Sequence, residues 1–293
     1  MGLGRWVFLN DSFVEADAAL ISPFDRGFLF AHAAYEVTSV YNGQLIDFDL
    51  HMNRLKRTME TIEIEPLDLN MLAIHEELLA RNETDQGLVY VQVSAGNQGP
   101  RDFYGPENLQ PALFMFATEK PLIGDIAQTG ITAVTCEDTR WKRCDVKTTQ
   151  LLSQSLAYRS ARRAGAFTAI MHEDGLVTEA ASANAWIVKD DGTLITRNLS
   201  PSLLPGITRE RVMQLVRDSG HTVEERPFSV EEALSASEMF TTSTGVVVLP
   251  VTEVDSAQIG DGRPGPVTRT VQRLYYEYIG ADTELVAPWA VPA

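Results

Sequence analysis

Lys147 is the residue with the most chemistry in reach. It stands in the run Arg143-Cys144-Asp145-Val146-Lys147-Thr148-Thr149. Before it, residues 130–136 are rich in β-branched side chains and read as a strand; after it, Leu151, Leu152, Leu156 and Ala157 fall near helical spacing, with Gly165 as a stop. The spacing therefore predicts a helix over 148–163 with Lys147 just before its start. An amine held at such a passage, desolvated or near other cations such as Lys142 and Arg143, gives up its proton more easily and becomes a nucleophile. Glu179 follows a strand and precedes the small-residue run Ala180-Ala181-Ser182-Ala183, where a flat ring can approach the backbone and a carboxylate can hold a protonated ring nitrogen. Two stretches suit an anion. Gly206-Ile207-Thr208 opens a helix, with Thr208 expected as its N-cap, so that backbone N–H groups point outward. Thr241-Thr242-Ser243-Thr244-Gly245 combines hydroxyls with turn amides, and Arg54 adds a charge suited to a phosphate. Taken singly, each has a commoner explanation: a solvated lysine or glutamate, an ordinary helix cap, a polar turn.

The elements that must position these residues follow from pattern. Residues 6–14 read as a hairpin with an Asn10-Asp11 turn, 21–30 as a loop, and 34–41 as a strand closed by Asn42-Gly43. Asp49 is expected to cap a helix carrying Leu50, Arg54, Leu55, Met59 and Ile62, and a second helix is expected over 69–81. Residues 88–93 and 112–116 read as strands around a loop with Pro100, Arg101, Asp102, Phe103 and Tyr104. Asp174-Gly175 and Asp191-Gly192 each sit between β-type runs and signal hairpins. Helices are expected over 209–218, from the capping box Ser229-Val230-Glu231-Glu232, and over 267–279. The expected division is a small α/β domain over 1–119, a linker over 120–128, and a larger, β-rich domain with helices over 129–293, giving an α/β (α+β) protein of two domains.

The 293 residues, 44% of them hydrophobic, can bury a core of that size. A net charge of −16 argues against non-specific nucleic-acid binding. No apolar run suits a membrane span, and no signal-peptide pattern opens the chain. Cys136 and Cys144 match no disulfide framework or common zinc motif, so no metal is expected and the cytoplasm is the expected location.

Several of these runs occur together in a characteristic order: Asp25-Arg26-Gly27, Tyr35-Glu36-Val37, His51-Met52-Asn53-Arg54-Leu55, Arg143 to Lys147, Thr178-Glu179 with Ser182-Ala183-Asn184, Leu204-Pro205-Gly206-Ile207-Thr208-Arg209, and Thr242-Ser243-Thr244. In that order the chain resembles the class IV aminotransferases, fold type IV enzymes that use pyridoxal 5'-phosphate (PLP). The likeness spans nearly the whole chain and reverses the bland readings above. It implies that Lys147 carries the cofactor and shuttles the proton, and that Glu179 holds the pyridine nitrogen. It implies a phosphate cup of Arg54, Ile207, Thr208 and Thr244, with Leu204 against the ring and Ser182 in the cofactor-side loop. Tyr35 is implied as a catalytic and substrate-binding residue that, with Arg101, holds a substrate carboxylate. The run 138–147 and the Gly99-Pro100-Arg101 loop are most similar to family members acting on D-amino acids. A homodimer that moves an amino group from a D-amino acid such as D-alanine to 2-oxoglutarate or pyruvate is therefore implied. The alternatives within the fold are a branched-chain L-amino acid transaminase and an aminodeoxychorismate lyase. The chain departs from the pattern at Ala31-His32-Ala33, where the family often has Gly-Asp-Gly, and at Phe103, where D-amino acid enzymes carry histidine. His32 and Phe103 thus imply a more apolar substrate pocket, with room for (R)-primary amines.

Overall fold

The computed structural model describes residues 2–291. It forms two compact units, Met1–Leu122 with Val146–Gln150, and Ile123–Asp145 with Leu151–Ala293.

The first unit begins with β1 (Gly2–Leu9) and β2 (Ser12–Glu15), joined where Asn10 takes φ 58. A short helix, α1 (Arg26–Phe30), interrupts the stretch expected to be loop, because Asp25 caps it by accepting from the Gly27 amide. β3 (Ala33–Tyr41) turns through Asn42-Gly43, both at positive φ, into β4 (Gln44–Leu45). Two helices follow, α2 (Phe48–Thr61) and α3 (Met71–Arg81), then β5 (Gly87–Ser94) and β6 (Ala112–Glu119). The cap of α2 differs from expectation: Asp47, at φ 52, holds the N-cap position without its side chain capping the helix, and Asp49 lies inside the first turn. The strands form one sheet, ordered β2-β1-β6-β5-β3-β4. Period-two alternation divides its faces. Val89, Val91, Val93, Leu113 and Met115 are buried with Leu55, Met59, Leu78 and Leu79 of the helices. The opposite, half-buried face carries Tyr35, Tyr90, Gln92, Phe114 and Phe116.

The second unit starts with α4 (Asp125–Thr129), a helical turn inside the expected linker, and β7 (Ile131–Glu137). α5 (Leu152–Arg163) leads to β8 (Thr168–Glu173), parallel to β7. β9 (Leu176–Ala180) returns through Asp174-Gly175, both at positive φ. β10 (Asn184–Val188) and β11 (Leu194–Thr196) pair as a hairpin, and α6 (Ile207–Asp218) crosses to β12 (Val223–Glu225), parallel to β11. Then come α7 (Val230–Leu234), capped by Ser229, β13 (Glu238–Ser243), β14 (Val247–Val254), β15 (Ala257–Gln258), α8 (Pro266–Tyr278) and α9 (Thr283–Val286). The sheet runs β12-β11-β10-β13-β14-β7-β8-β9, with β15 on β14. Its core gathers Ile131, Ile170, Ile187, Phe228, Met239 and Val251. Among the described residues no helix is long and apolar enough to cross a membrane.

Two expectations about Lys147 change. Helix α5 begins at Leu152, not 148, and the segment 146–150 belongs to the first unit rather than to the larger one. The cause is backbone pairing: Tyr35 N–H donates to Lys147 O at 3.0 Å and Thr149 N–H to Ala33 O at 3.1 Å, so these residues run extended along β3. The buried face of α5 is Ala157 and Ala161, while Leu152 and Leu156 are exposed.

Candidate active site

In the first unit, β3 sets Tyr35 beside Lys147, whose Nζ lies 4.1 Å from the Tyr35 ring centroid. Tyr35 begins a row of rings: it stacks on Tyr90 at 5.7 Å, and Tyr90 on Phe116 at 4.9 Å. Burial holds the Tyr90 phenol protonated to higher pH than usual, and its hydroxyl donates to Gln92 Oε1 at 2.9 Å. The Lys147 side chain thus ends over the first ring of an aromatic ladder, half-buried. Cross-strand pairing built this row, and sequence reading named only Tyr35 from it.

Arg54, on α2, is buried and committed to Glu36 of β3: Nε donates to Oε2 at 2.8 Å and Nη2 to Oε1 at 2.7 Å. His51 Nδ1 lies 3.0 Å from the same carboxylate, which also accepts from the Val37 amide. Burial alone would raise the Glu36 carboxyl, but Arg54 and His51 hold it well below the usual carboxylate range. Arg101 lies in the exposed loop after β5, its guanidinium 5.0 Å from the Phe30 ring and 4.6 Å from that of Phe103. Phe103 is 74% exposed. Both ring nitrogens of His32 are engaged: Arg26 Nε donates to Nδ1 at 3.0 Å, and Nε2 lies 2.7 Å from Ile62 O.

In the second unit, β9 carries Glu179 into a fully polar nest. Asn184 Nδ2 donates to its Oε2 at 3.1 Å and the Leu204 amide at 3.3 Å, while Arg140 pairs with its Oε1. Arg140 also clasps Asp138, at 2.9 and 2.6 Å, and donates to Ser202 O. Burial pushes the Glu179 carboxyl up, against the pull of Arg140 and the Leu204 amide. Asn184 donates in addition to Leu204 O at 2.9 Å. It also explains Gly206, where a Cβ would come within 2.0 Å of Asn184 Oδ1. One amide side chain therefore ties the Glu179 carboxylate to the entry of α6. Sequence reading missed Arg140 and Asn184 as site residues; only their presence inside the recurring runs marked them.

Helix α6 opens differently from expectation. Gly206 is its N-cap and Thr208 its second residue, because no side chain caps it. Ile207 and Thr208 are buried at this first turn, where backbone donors and the helix dipole favour an anion. Thr244 lies in the half-buried turn after β13, and Val247 behind it takes φ 48, a strained conformation for a β-branched residue costing about 1–3 kcal/mol. Ser182 is exposed and hydrogen-bonded to the Tyr158 hydroxyl at 2.7 Å.

A lysine beside a tyrosine, a carboxylate held by an arginine, and an uncapped helix start are parts that suit PLP. Residues 33–254 match the family described as amino-transferase class IV. The chain is 35% identical to the D-alanine aminotransferase of Bacillus licheniformis, over 94% of this chain and 98% of that protein. It is 34% identical to the D-alanine aminotransferase of Staphylococcus haemolyticus, over 93% and 97%. In fold it is similar to the branched-chain amino acid aminotransferase of Escherichia coli, with TM-score 0.86, 24% identity and coverage of 94% and 95%. The branched-chain enzyme of Thermobaculum terrenum in its PLP form gives TM-score 0.83, 22% identity and 96% coverage of both chains. The protein belongs to the class IV aminotransferases, enzymes that work with PLP.

Proposed function

We propose that this aminotransferase takes its amino group from a D-amino acid, D-alanine or a near analogue, and passes it to a 2-keto acid such as 2-oxoglutarate or pyruvate. The observation that carries the reading is 35% identity, over almost the full length of both chains, to a D-alanine aminotransferase. The Arg101 guanidinium, presented on a polar loop between two aromatic rings, supports it as a carboxylate ligand. When bound, PLP supplies an electron sink for the carbon that loses its proton. The Lys147 amine would hold the cofactor and, once displaced by the substrate amine, would act through its Nζ as the base that takes the proton from the substrate carbon and as the acid that gives it back. Glu179, paired with Arg140, would hold the ring nitrogen and favour its protonated form, and Leu204, whose amide donates to Glu179, would lie against the ring. Ile207 and Thr208 would supply helix-start amides to the phosphate, Thr244 a hydroxyl, and Arg54, paired with Glu36, positive charge. Ser182, bonded to Tyr158, closes the cofactor-side loop. Tyr35 and Arg101 orient the substrate carboxylate. Phe103, exposed beside Arg101, gives the pocket an apolar wall that also admits (R)-arylalkylamines; His32 supports this region through Arg26.

The large exposed hydrophobics Leu20, Ile21, Phe24 and Phe28 of the first unit support a homodimer, since monomers rarely leave such surface uncovered. Cys136 and Cys144 are free thiols, in keeping with a cytoplasmic enzyme. The test is a donor panel of D- and L-alanine, L-leucine and both enantiomers of 1-phenylethylamine, with 2-oxoglutarate and pyruvate as acceptors. D-alanine should lead, in a reaction that depends on the keto acid. Preference for L-leucine, or product formation without an acceptor, would replace the reading with a branched-chain or a lyase activity.

A further inference from the structure

The loop that presents Arg101 has no strand or helix to hold it: residues 98–111 lie outside regular structure, and Pro100 through Tyr104 are exposed. An arginine on such a loop would lose much of its orienting power to side-chain and backbone entropy. Yet the loop is fixed on both sides of Arg101. Gln98 Nε2 donates to Pro100 O at 2.9 Å. Arg26 donates through Nη1 to Asp102 O and through Nη2 to Phe103 O, each at 3.1 Å, and Nη1 also binds Gln98 Oε1. Arg26 is 8% exposed and is itself anchored. Its amide donates to Gly96 O at 2.9 Å, and its Nε donates to His32 Nδ1, which leaves His32 Nε2–H to donate to Ile62 O. The Phe30 ring takes both guanidiniums, Arg26 at 4.8 Å and Arg101 at 5.0 Å. Gly105 completes the fit: its φ is +73, and a Cβ there would come within 2.7 Å of Arg26 Nη1.

We propose that Arg26, braced by His32 and paired with Gln98, is the positioning residue that holds Arg101 in its carboxylate-binding pose and so sets the preference for amino acids over amines lacking a carboxylate. The inference rests on the proposed role of Arg101. A planar fork that reaches two consecutive carbonyls is a task for arginine, which lysine cannot replace.

The experiment uses the PLP-loaded enzyme in single turnover with D-alanine and with (R)-1-phenylethylamine, alongside hydrogen exchange of the segment 99–105. Arg26→Ala should lower the D-alanine efficiency by about tenfold or more, leave the amine within about twofold, and speed exchange in the loop. Arg26→Lys should recover only part of the loss. Arg26→Ala combined with Arg101→Ala should be no worse than Arg101→Ala alone, since both act through one contact. Equal loss on both donors, additive losses in the double variant, or unchanged loop exchange would each overturn the inference. If Arg101→Ala is selective for D-alanine while Arg26→Ala is silent, the inference falls and the carboxylate role of Arg101 stands. If Arg101→Ala spares D-alanine, that role falls, and this one with it. Should Arg26→Ala fail to fold, Gln98→Ala, which removes one strut, must show the same selectivity and faster loop exchange at smaller size; an unselective Gln98→Ala would count against the clamp.

Discussion

Each unit buries an arginine–carboxylate cluster, and the two clusters are balanced in opposite senses. In the first, the Glu36 carboxylate meets the Arg54 guanidinium and the His51 imidazole. In the second, the Arg140 guanidinium meets two carboxylates, Asp138 and Glu179. The consequences show in the acids. Despite full burial Glu36 is held far down, whereas burial pushes Glu179 up, with a smaller push from Asp138, which shares its cation. The first arrangement sets one carboxylate against two basic side chains; the second sets two carboxylates against one guanidinium. A second carboxylate on one guanidinium is the arrangement that suits the proposed role of Glu179 toward a protonated ring nitrogen.

The largest test of this contrast removes the cations. Arg140→Met strands two buried carboxylates and should cost about 3–5 kcal/mol, while Arg54→Met strands one that keeps His51 and the Val37 amide and should cost less. Urea unfolding of both variants measures the order, and a reversed order would break the comparison. Acid sharpens it next. His75, buried on α3 against Phe48, has its pKa lowered by burial from 6.5 to about 4. Because the unfolded chain takes up that proton first, stability should fall as pH drops from 6.5 to 4, by about 3 kcal/mol in full. Glu36 acts at still lower pH: its depressed pKa gives stability that is present above the ordinary carboxylate value, about 4.3, and is lost below it. Glu179, shifted the other way, adds nothing to this acid loss. Chemical denaturation from pH 7 to 4 should show the decline, and His75→Gln should flatten it; an unchanged slope would remove His75 from the account. A smaller effect is expected at Asn184. Asn184→Ala should cost about 1–3 kcal/mol and quicken PLP release on dialysis, because Glu179 and Leu204 lose a shared donor. Unaltered retention would mean that Glu179 needs no such support.

The legible part of the molecule was the local part. Asn42-Gly43 and Asp174-Gly175 specify tight turns by backbone sterics alone, and the structure has them at positive φ. Ser229 caps α7 within its own capping box. The α5 start was misplaced because apolar spacing over 148–157 resembles a helix, while residues 147–149 are claimed by hydrogen bonds to β3, more than a hundred positions earlier. Arg140 and Glu179 are 39 residues apart, and no short-range pattern announces such a pair. The same holds for Arg26 and the carbonyls at 102 and 103. Order of motifs conveyed the family; contacts at long separation convey how each motif is held.

The central claim is that Lys147, resting on Tyr35, is the amine that carries the cofactor. Borohydride reduction of the PLP-loaded enzyme, followed by proteolysis and mass mapping, tests it directly. The account predicts a single pyridoxyl group on the peptide containing Lys147; a label on another lysine, or none, would contradict it.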